Sequence, residues 1–124
     1  MTRKKSEQTR RRIVAAARTI FCTYPYDAAS VRKIEQAGGV NYALIRYYFG
    51  SKKGLFDTVA AELVREYIDA IYPMLRILNQ DPLEESLTIF IDRLLDYCFS
   101  HPDGMAIIML NIGKSSQFDD TLLG

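Results

Sequence analysis

Apolar residues recur along this chain at steps of three and four from Thr9 onward, the period of an amphipathic helix, and no stretch alternates as a half-buried strand would. Ile13, Ala16, Ala17, Ile20, Phe21 and Tyr24 define a first helix that ends near Pro25. After the loop 24–29, Ser30 is placed to cap a short second helix with Val31, Ile34 and Ala37 on its inner side, and Gly38-Gly39 stops it. Val40-Asn41 reads as a tight turn in which Asn41 caps a third helix reaching about Phe49; Gly50 ends that helix and Ser51 caps a fourth. Leu55, Val59, Leu63, Tyr67, Ile71, Leu75 and Leu78 carry the fourth helix from Lys52 to about Asn79, with Pro73 kinking or ending it locally.

Asp81-Pro82 is a break, and Leu83, Leu87, Phe90, Ile91, Leu94, Leu95 and Cys98 predict a fifth helix closed by His101-Pro102. A sixth begins near Asp103. Its segment 105–112 is apolar on nearly every side, which asks for partner surfaces in more than one direction and leaves a sticky face wherever one is missing. The tail from Ser115 to Gly124 has no strong pattern. The expectation is an all-α fold without repeats.

Three short helices followed by a long one, with a glycine-containing turn between the second and third, is the order of a helix-turn-helix, whose second element enters the major groove of DNA. On a wheel of the third helix Ile45 and Phe49 point inward, leaving Tyr42, Ala43, Leu44, Arg46, Tyr47 and Tyr48 outside. Tyrosines, an arginine and small apolar groups on one short helix suit base edges, thymine methyls and phosphate oxygens, and Arg46 has the geometry to read guanine.

Charge sharpens this picture. The net value of +1 conceals a division: residues 1–54 hold 12 Lys or Arg against 3 Asp or Glu, and residues 55–124 hold 4 against 12. A basic half suits a polyanion, and an acidic half stays off the phosphates. Arg32 and Lys33 fall in the first turn of the second helix, and Lys52 and Lys53 in the first turn of the fourth, where the positive end of the helix dipole disfavours cations by about 0.3 to 1 kcal/mol each. A phosphate bound at each start would relieve the conflict and grip both walls of the groove.

Other chemistry is absent from the pattern. Cys22 and Cys98 lie in apolar helical contexts without metal or redox spacing and read as free thiols. The single His101 stands at a helix end beside no nucleophile, Asp92 and Asp96 read as solvated, and Gly38-Gly39 lacks a phosphate-loop frame, so neither an enzyme nor a cofactor is expected. No apolar run approaches the roughly 20 residues of a membrane span, and the basic start has no signal-peptide core, so a cytoplasmic protein without a membrane partner is expected.

Thr9-Arg10-Arg11-Arg12-Ile13 with Ala16-Ala17 and Phe21, Ser30-Val31-Arg32-Lys33-Ile34, and above all the run from Gly39 through Tyr47-Tyr48-Phe49-Gly50-Ser51-Lys52-Lys53-Gly54-Leu55-Phe56 resemble the tetracycline-repressor (TetR) family of bacterial transcription regulators over about 50 residues in register. The resemblance implies a DNA-binding head over 1–51, including a basic arm, and over 52–124 a connecting helix with an incomplete helical effector and dimerisation domain. It implies that Ser30, Tyr47 and Lys52 hold phosphates, that Arg32, Tyr42, Ala43 and Arg46 lie toward bases, and that Asn41 and Tyr48 complete the DNA-facing set. The partners it implies are double-stranded DNA, a second copy in a homodimer, and a small-molecule effector. Glu35 and Gly38 depart from the small residues, often Ala, usual in the family and would loosen helix two; Tyr48 stands where His is frequent. Tyr67, Ile71, Tyr72, Leu75, Phe90, Leu94 and Met109 are where an effector pocket would lie, but each has a plain core reading and none is nominated as a binding residue. The rival reading is a protein-interaction module docking a partner through the tyrosine-rich third helix, since aromatics and Arg also mark protein interfaces.

Overall fold

The structure, a computed structural model, describes residues 3–113; the patternless tail lies outside them. The elements are α1 (Arg3–Thr23), α2 (Val31–Gly38), α3 (Tyr42–Phe49), α4 (Lys52–Ile71), a 3-10 helix (Tyr72–Asn79), α5 (Leu83–Ser100) and α6 (Asp103–Asn111). All-α is the outcome. Two boundaries differ from expectation. α1 starts at Arg3, ahead of Thr9, because Lys, Arg, Glu and Gln propagate a helix well while offering no apolar period to betray it. α4 ends at Ile71, because Pro73 lacks the N–H that the next turn needs, and the chain continues to Asn79 as a tighter 3-10 coil.

The core is built by the head. Ile13, Ala17 and Phe21 of α1, Ile34 of α2, Ile45 of α3, and Leu55 and Val59 of α4 are fully buried against one another. Phe21 meets the edge of Phe56 at 5.0 Å between ring centroids, and Tyr26 from the α1–α2 loop meets Phe56 at the same spacing, so the aromatic rings key that loop onto α4. On α2, Ile34 is buried and Val31 half-buried, but Ala37 is exposed. The contact expected of Ala37 is made instead by Gly38, where a Cβ would lie 2.8 Å from the Cβ of Ala16. Gly38 therefore lets α2 close on α1, the opposite of the loosening expected of it.

α6 returns to the head. Ile107 joins the core, and the buried Asn111 accepts the Tyr26 N–H at 2.9 Å while donating to the Ile107 carbonyl at 2.8 Å. Arg18 of α1 ties three helices together: its Nη1 and Nη2 each donate at 2.8 Å to the two carboxylate oxygens of Glu66 in α4, and its Nε donates at 2.8 Å to Asp103 of α6. These bonds hold the guanidinium's proton still more firmly than usual, with the Glu66 pair the largest cause.

α5 is less engaged. It lies on the 3-10 helix, and among its residues only Ser86 is buried; Leu83, Leu87, Ile91 and Leu95 of its expected inner face are exposed, while Phe90, Leu94 and Cys98 are half-buried. α6 likewise shows Met105, Ile108 and Met109 to the outside. An apolar periodicity marks which face a helix can bury, but only a neighbour can bury it.

Both cysteines are free and half-buried. Burial, reinforced by the negative charge of Asp103, pushes the Cys22 thiol up to about 11, and its S–H donates to the Asp103 carbonyl at 3.5 Å. The folded thiol thus keeps its proton to a higher pH than the unfolded one, so this contribution is whole below about pH 9 and is lost as pH rises toward 11. Urea unfolding followed by circular dichroism should show stability falling between pH 9 and 11, with a shallower fall in Cys22→Ala; equal slopes would remove Cys22 as the source.

Candidate nucleic-acid interface

α3 is an eight-residue helix, too short to stand alone in water, so its ends must be secured. Asn41 caps it, its Oδ1 accepting the Leu44 N–H at 3.0 Å, and the Glu35 carboxylate reaches from α2 to accept the Tyr42 N–H at 3.1 Å. Glu35 is thus a second cap that ties α2 to α3. Gly39 and Gly50 on either side adopt φ of 60° and 78°, left-handed values that residues with a Cβ avoid. α4 starts on Ser51, whose Oγ accepts the Gly54 N–H at 3.0 Å.

The helix then presents one clear face. Tyr42, Ala43, Arg46 and Tyr47 are exposed, Tyr47 by 78%, and the second two follow the first two by one turn. Leu44, Tyr48 and Phe49 were expected outside or inside by wheel alone, but all three are half-buried against the core. The Tyr48 hydroxyl is 2.8 Å from the Ser6 Oγ on α1, and its ring meets Tyr47 edge-on at 4.9 Å. Phe49 carries the Arg10 guanidinium over its ring at 5.2 Å.

Beside this face, Ser30 caps α2 by accepting the Lys33 N–H at 3.2 Å, which leaves its own O–H to donate. Arg32 is exposed, with no protein partner among the described residues. The other cations at the two helix starts have contacts within the protein. Lys33 donates to the Ala28 carbonyl at 3.1 Å over the ring of Tyr24, and Lys52 donates to the Tyr26 carbonyl with its ammonium 4.2 Å from the ring centroid of Tyr26. Lys53 pairs with Asp57 at 3.7 Å. Two lysines from different helices therefore pin the α1–α2 loop by its carbonyls and aromatic faces, a role with no local sequence signature because loop and lysines meet only in the fold. The expected set thus divides: Tyr42, Ala43, Arg46, Tyr47 and Arg32 project outward, Ser30 and Asn41 cap, and Lys52 and Tyr48 brace the frame.

A second surface feature lies between α4 and α6. An apolar groove of about 430 Å³ is lined by Leu63, Tyr67, Ile71, Tyr72, Leu75 and Ile107 among others, taking in four of the pocket positions anticipated from sequence but not Phe90, Leu94 or Met109. Tyr67 closes one end, donating to the His101 carbonyl at 2.9 Å and packing on Gly104. Among the described residues no His, Cys, Asp and Glu group could hold a metal ion, and no helix is long and apolar enough to cross a membrane.

Comparison with known proteins bears on the head. Residues 13–59 match the family model described as bacterial regulatory proteins, tetR family. The chain is similar to an HTH-type transcriptional repressor of Mycobacterium tuberculosis, 43% identical over 53 residues, which covers 43% of this chain and 28% of that one. It is 29% identical over 105 residues to the HTH-type transcriptional repressor NicS of Pseudomonas putida, covering 85% and 49% of the two chains. It is 32% identical over 85 residues to the HTH-type transcriptional repressor AcnR of Corynebacterium glutamicum, covering 63% and 44%. The chain spans less than half the length of these relatives. No solved structure matches it.

The α3–α4 junction allows a direct test. A Cβ on Gly54 would lie 2.2 Å from the Phe49 carbonyl oxygen, so Gly54→Ala must push the exposed helix off α4. The expected loss is about 1–3 kcal/mol of stability in thermal or urea melts; an unchanged midpoint would show that the junction is not tightly closed.

Proposed function

We propose that this chain, whose residues 13–59 match the tetR family of bacterial regulatory proteins, is a sequence-specific DNA-binding transcription regulator, a repressor that grips a palindromic operator as a dimer and is released by a small molecule. The observation that carries this reading is the exposed face of α3, with Tyr42, Ala43, Arg46 and Tyr47 held outward by caps at both ends and by the buried Ile45. Arg46 supplies the bidentate donor for a guanine edge, Ala43 and Tyr42 contact bases, and Tyr47 and the Ser30 hydroxyl donate to phosphates. Arg32, projecting from α2 with no protein partner among the described residues, adds positive charge beside α3. The repressor names of the similar proteins support the sign of regulation.

Release has a physical route in the same reading. A small apolar effector in the groove between α4 and α6 presses on the helix that leaves the reader through Ser51, and Arg18 passes a change in α6 or α4 to α1. The acidic character of the chain beyond residue 54 keeps this part away from the phosphates.

Fluorescence anisotropy with a labelled duplex tests the DNA reading. Binding should weaken steeply with added salt, and Arg46→Ala should cost about 1–3 kcal/mol on a selected sequence while relaxing its preference. Arg32→Ala should likewise weaken binding to the selected sequence more than to random duplex. Affinity indifferent to salt and to Arg46→Ala would overturn the assignment.

A further inference from the structure

The groove between α4 and α6 has a definite shape as well as a composition. Its long wall is the strip of α4 and the 3-10 helix from Ala60 to Leu75, which at the rise of those helices runs for about 24 Å. A volume of about 430 Å³ spread over that length leaves a mean cross-section of about 18 Å², room for one hydrocarbon chain and not for fused rings or a branched skeleton. Among the described residues no charged side chain lines it; aliphatic groups and methionine make the walls, joined by Tyr67, Tyr72 and Gly104. A carboxylate or ammonium lying there would lose its water without gaining a partner, a penalty that an uncharged molecule does not meet.

Tyr67 is what keeps the groove narrow. Its ring stands where α6 begins and is held from three directions: the hydroxyl donates to the His101 carbonyl at 2.9 Å, the ring meets Tyr97 edge-on at 5.3 Å between centroids, and Gly104 lies so near that a Cβ there would come within 2.5 Å of the ring. Behind it Tyr97 stacks on His101 at 4.3 Å, and neither of them lines the groove, so Tyr67 is the wall between the groove and the corner that joins α5 to α6. The rim along α4 and the 3-10 helix has no such fixture, since Val64, Ile68, Tyr72 and Leu75 are exposed. We propose that Tyr67 is the specificity-determining residue of this groove, setting a width that admits an uncharged molecule with a single unbranched hydrocarbon chain, and that Gly104 is required for the ring to stand there. The inference rests on the effector reading above and adds to it the class of ligand and the residue that selects it.

Displacement of Nile red, an uncharged dye that brightens on leaving water, tests this on the whole chain with unbranched decanol and its isomer propylheptanol, branched at the second carbon. The two alcohols carry the same number of carbon atoms, so a difference between them reads shape. The parent should prefer decanol by about tenfold or more, and should bind decanoate more weakly than decanol by a similar factor. Tyr67→Ala should bring the branched isomer within about threefold of decanol, as should Tyr67→Leu, which keeps more apolar packing; Tyr67→Phe, which keeps the ring, should retain the parental preference. Gly104→Ala should drive the ring into the groove and weaken both alcohols by about tenfold or more. Ile68→Glu, a change on the exposed rim, should weaken decanol by a similar factor and so tie the binding to this groove instead of to the bare faces of α5 and α6. Circular dichroism melts identify the folded variants. Equal affinity for the two isomers in the parent, or a parental preference in whichever of Tyr67→Ala and Tyr67→Leu folds, overturns the role of Tyr67. Parental affinity in Gly104→Ala overturns the part given to Gly104, and decanoate binding as tightly as decanol overturns the class of ligand. Decanol binding indifferent to Ile68→Glu, or no displacement by any of the three molecules, removes the groove as an effector site and this inference with it, while the DNA reading is decided separately by Arg46→Ala.

Discussion

A two-turn helix that must show one side to the outside cannot hold itself together, and the rest of the head is organised around that constraint. α3 has one fully buried side chain, Ile45, with which to anchor itself. The missing stability is supplied at the ends and flanks: Asn41 and Glu35 satisfy its first amides, Gly50 turns the chain sharply out of it, and Gly54 brings α4 beneath the Phe49 carbonyl. Leu44, Tyr48 and Phe49 spend part of their surface on the core, which fixes the rotation of the helix and so decides that Tyr42, Ala43, Arg46 and Tyr47 are the four left facing out. A reading surface gains accuracy when the scaffold behind it is rigid.

The same economy extends to the charges. Cations at the starts of α2 and α4 are unfavourable against the helix dipoles, yet Lys33 and Lys52 fold back onto carbonyls and rings of the α1–α2 loop. The loop is thereby clamped between two helices, and Asn111 of α6 adds a third hold through the Tyr26 amide. Arg18 completes the frame with a bidentate bond to Glu66 and a third bond to Asp103. Because its partners lie on α4 and α6, the orientation of the head relative to those helices is set by directional bonds, which a displaced helix must break as well as stretch.

Much of the fold was legible in the sequence for a definite reason. Helix period, serine and asparagine caps, and paired glycines are local signals, and they placed α2, α3, the starts of α4 and α5, and the caps Ser30, Asn41 and Ser51 where the structure has them. The charged first turns of α1 were missed because periodicity of apolar residues is blind to a helix with no apolar side. α4 was overextended because Leu75 and Leu78 keep the period past Pro73, while the backbone has already tightened. Glu35, Ser6 and Arg10 were passed over as supports of α3, since their partners are 7, 42 and 39 positions away along the chain.

By itself, then, the sequence determined an all-helical chain with a helix-turn-helix near its start, a basic half and an acidic half, and the caps of its short helices, because these depend on residue type and near-neighbour spacing. Tertiary structure alone decided which side chains of α2, α3 and the start of α4 face outward and which brace the frame. It turned Lys52 onto Tyr26, drew Tyr48 to Ser6, made Gly38 a close contact with Ala16, and left much of the apolar face of α5 bare. A lone wheel cannot make those distinctions, because burial and hydrogen bonding belong to pairs of residues brought together by the fold and not to positions along a helix.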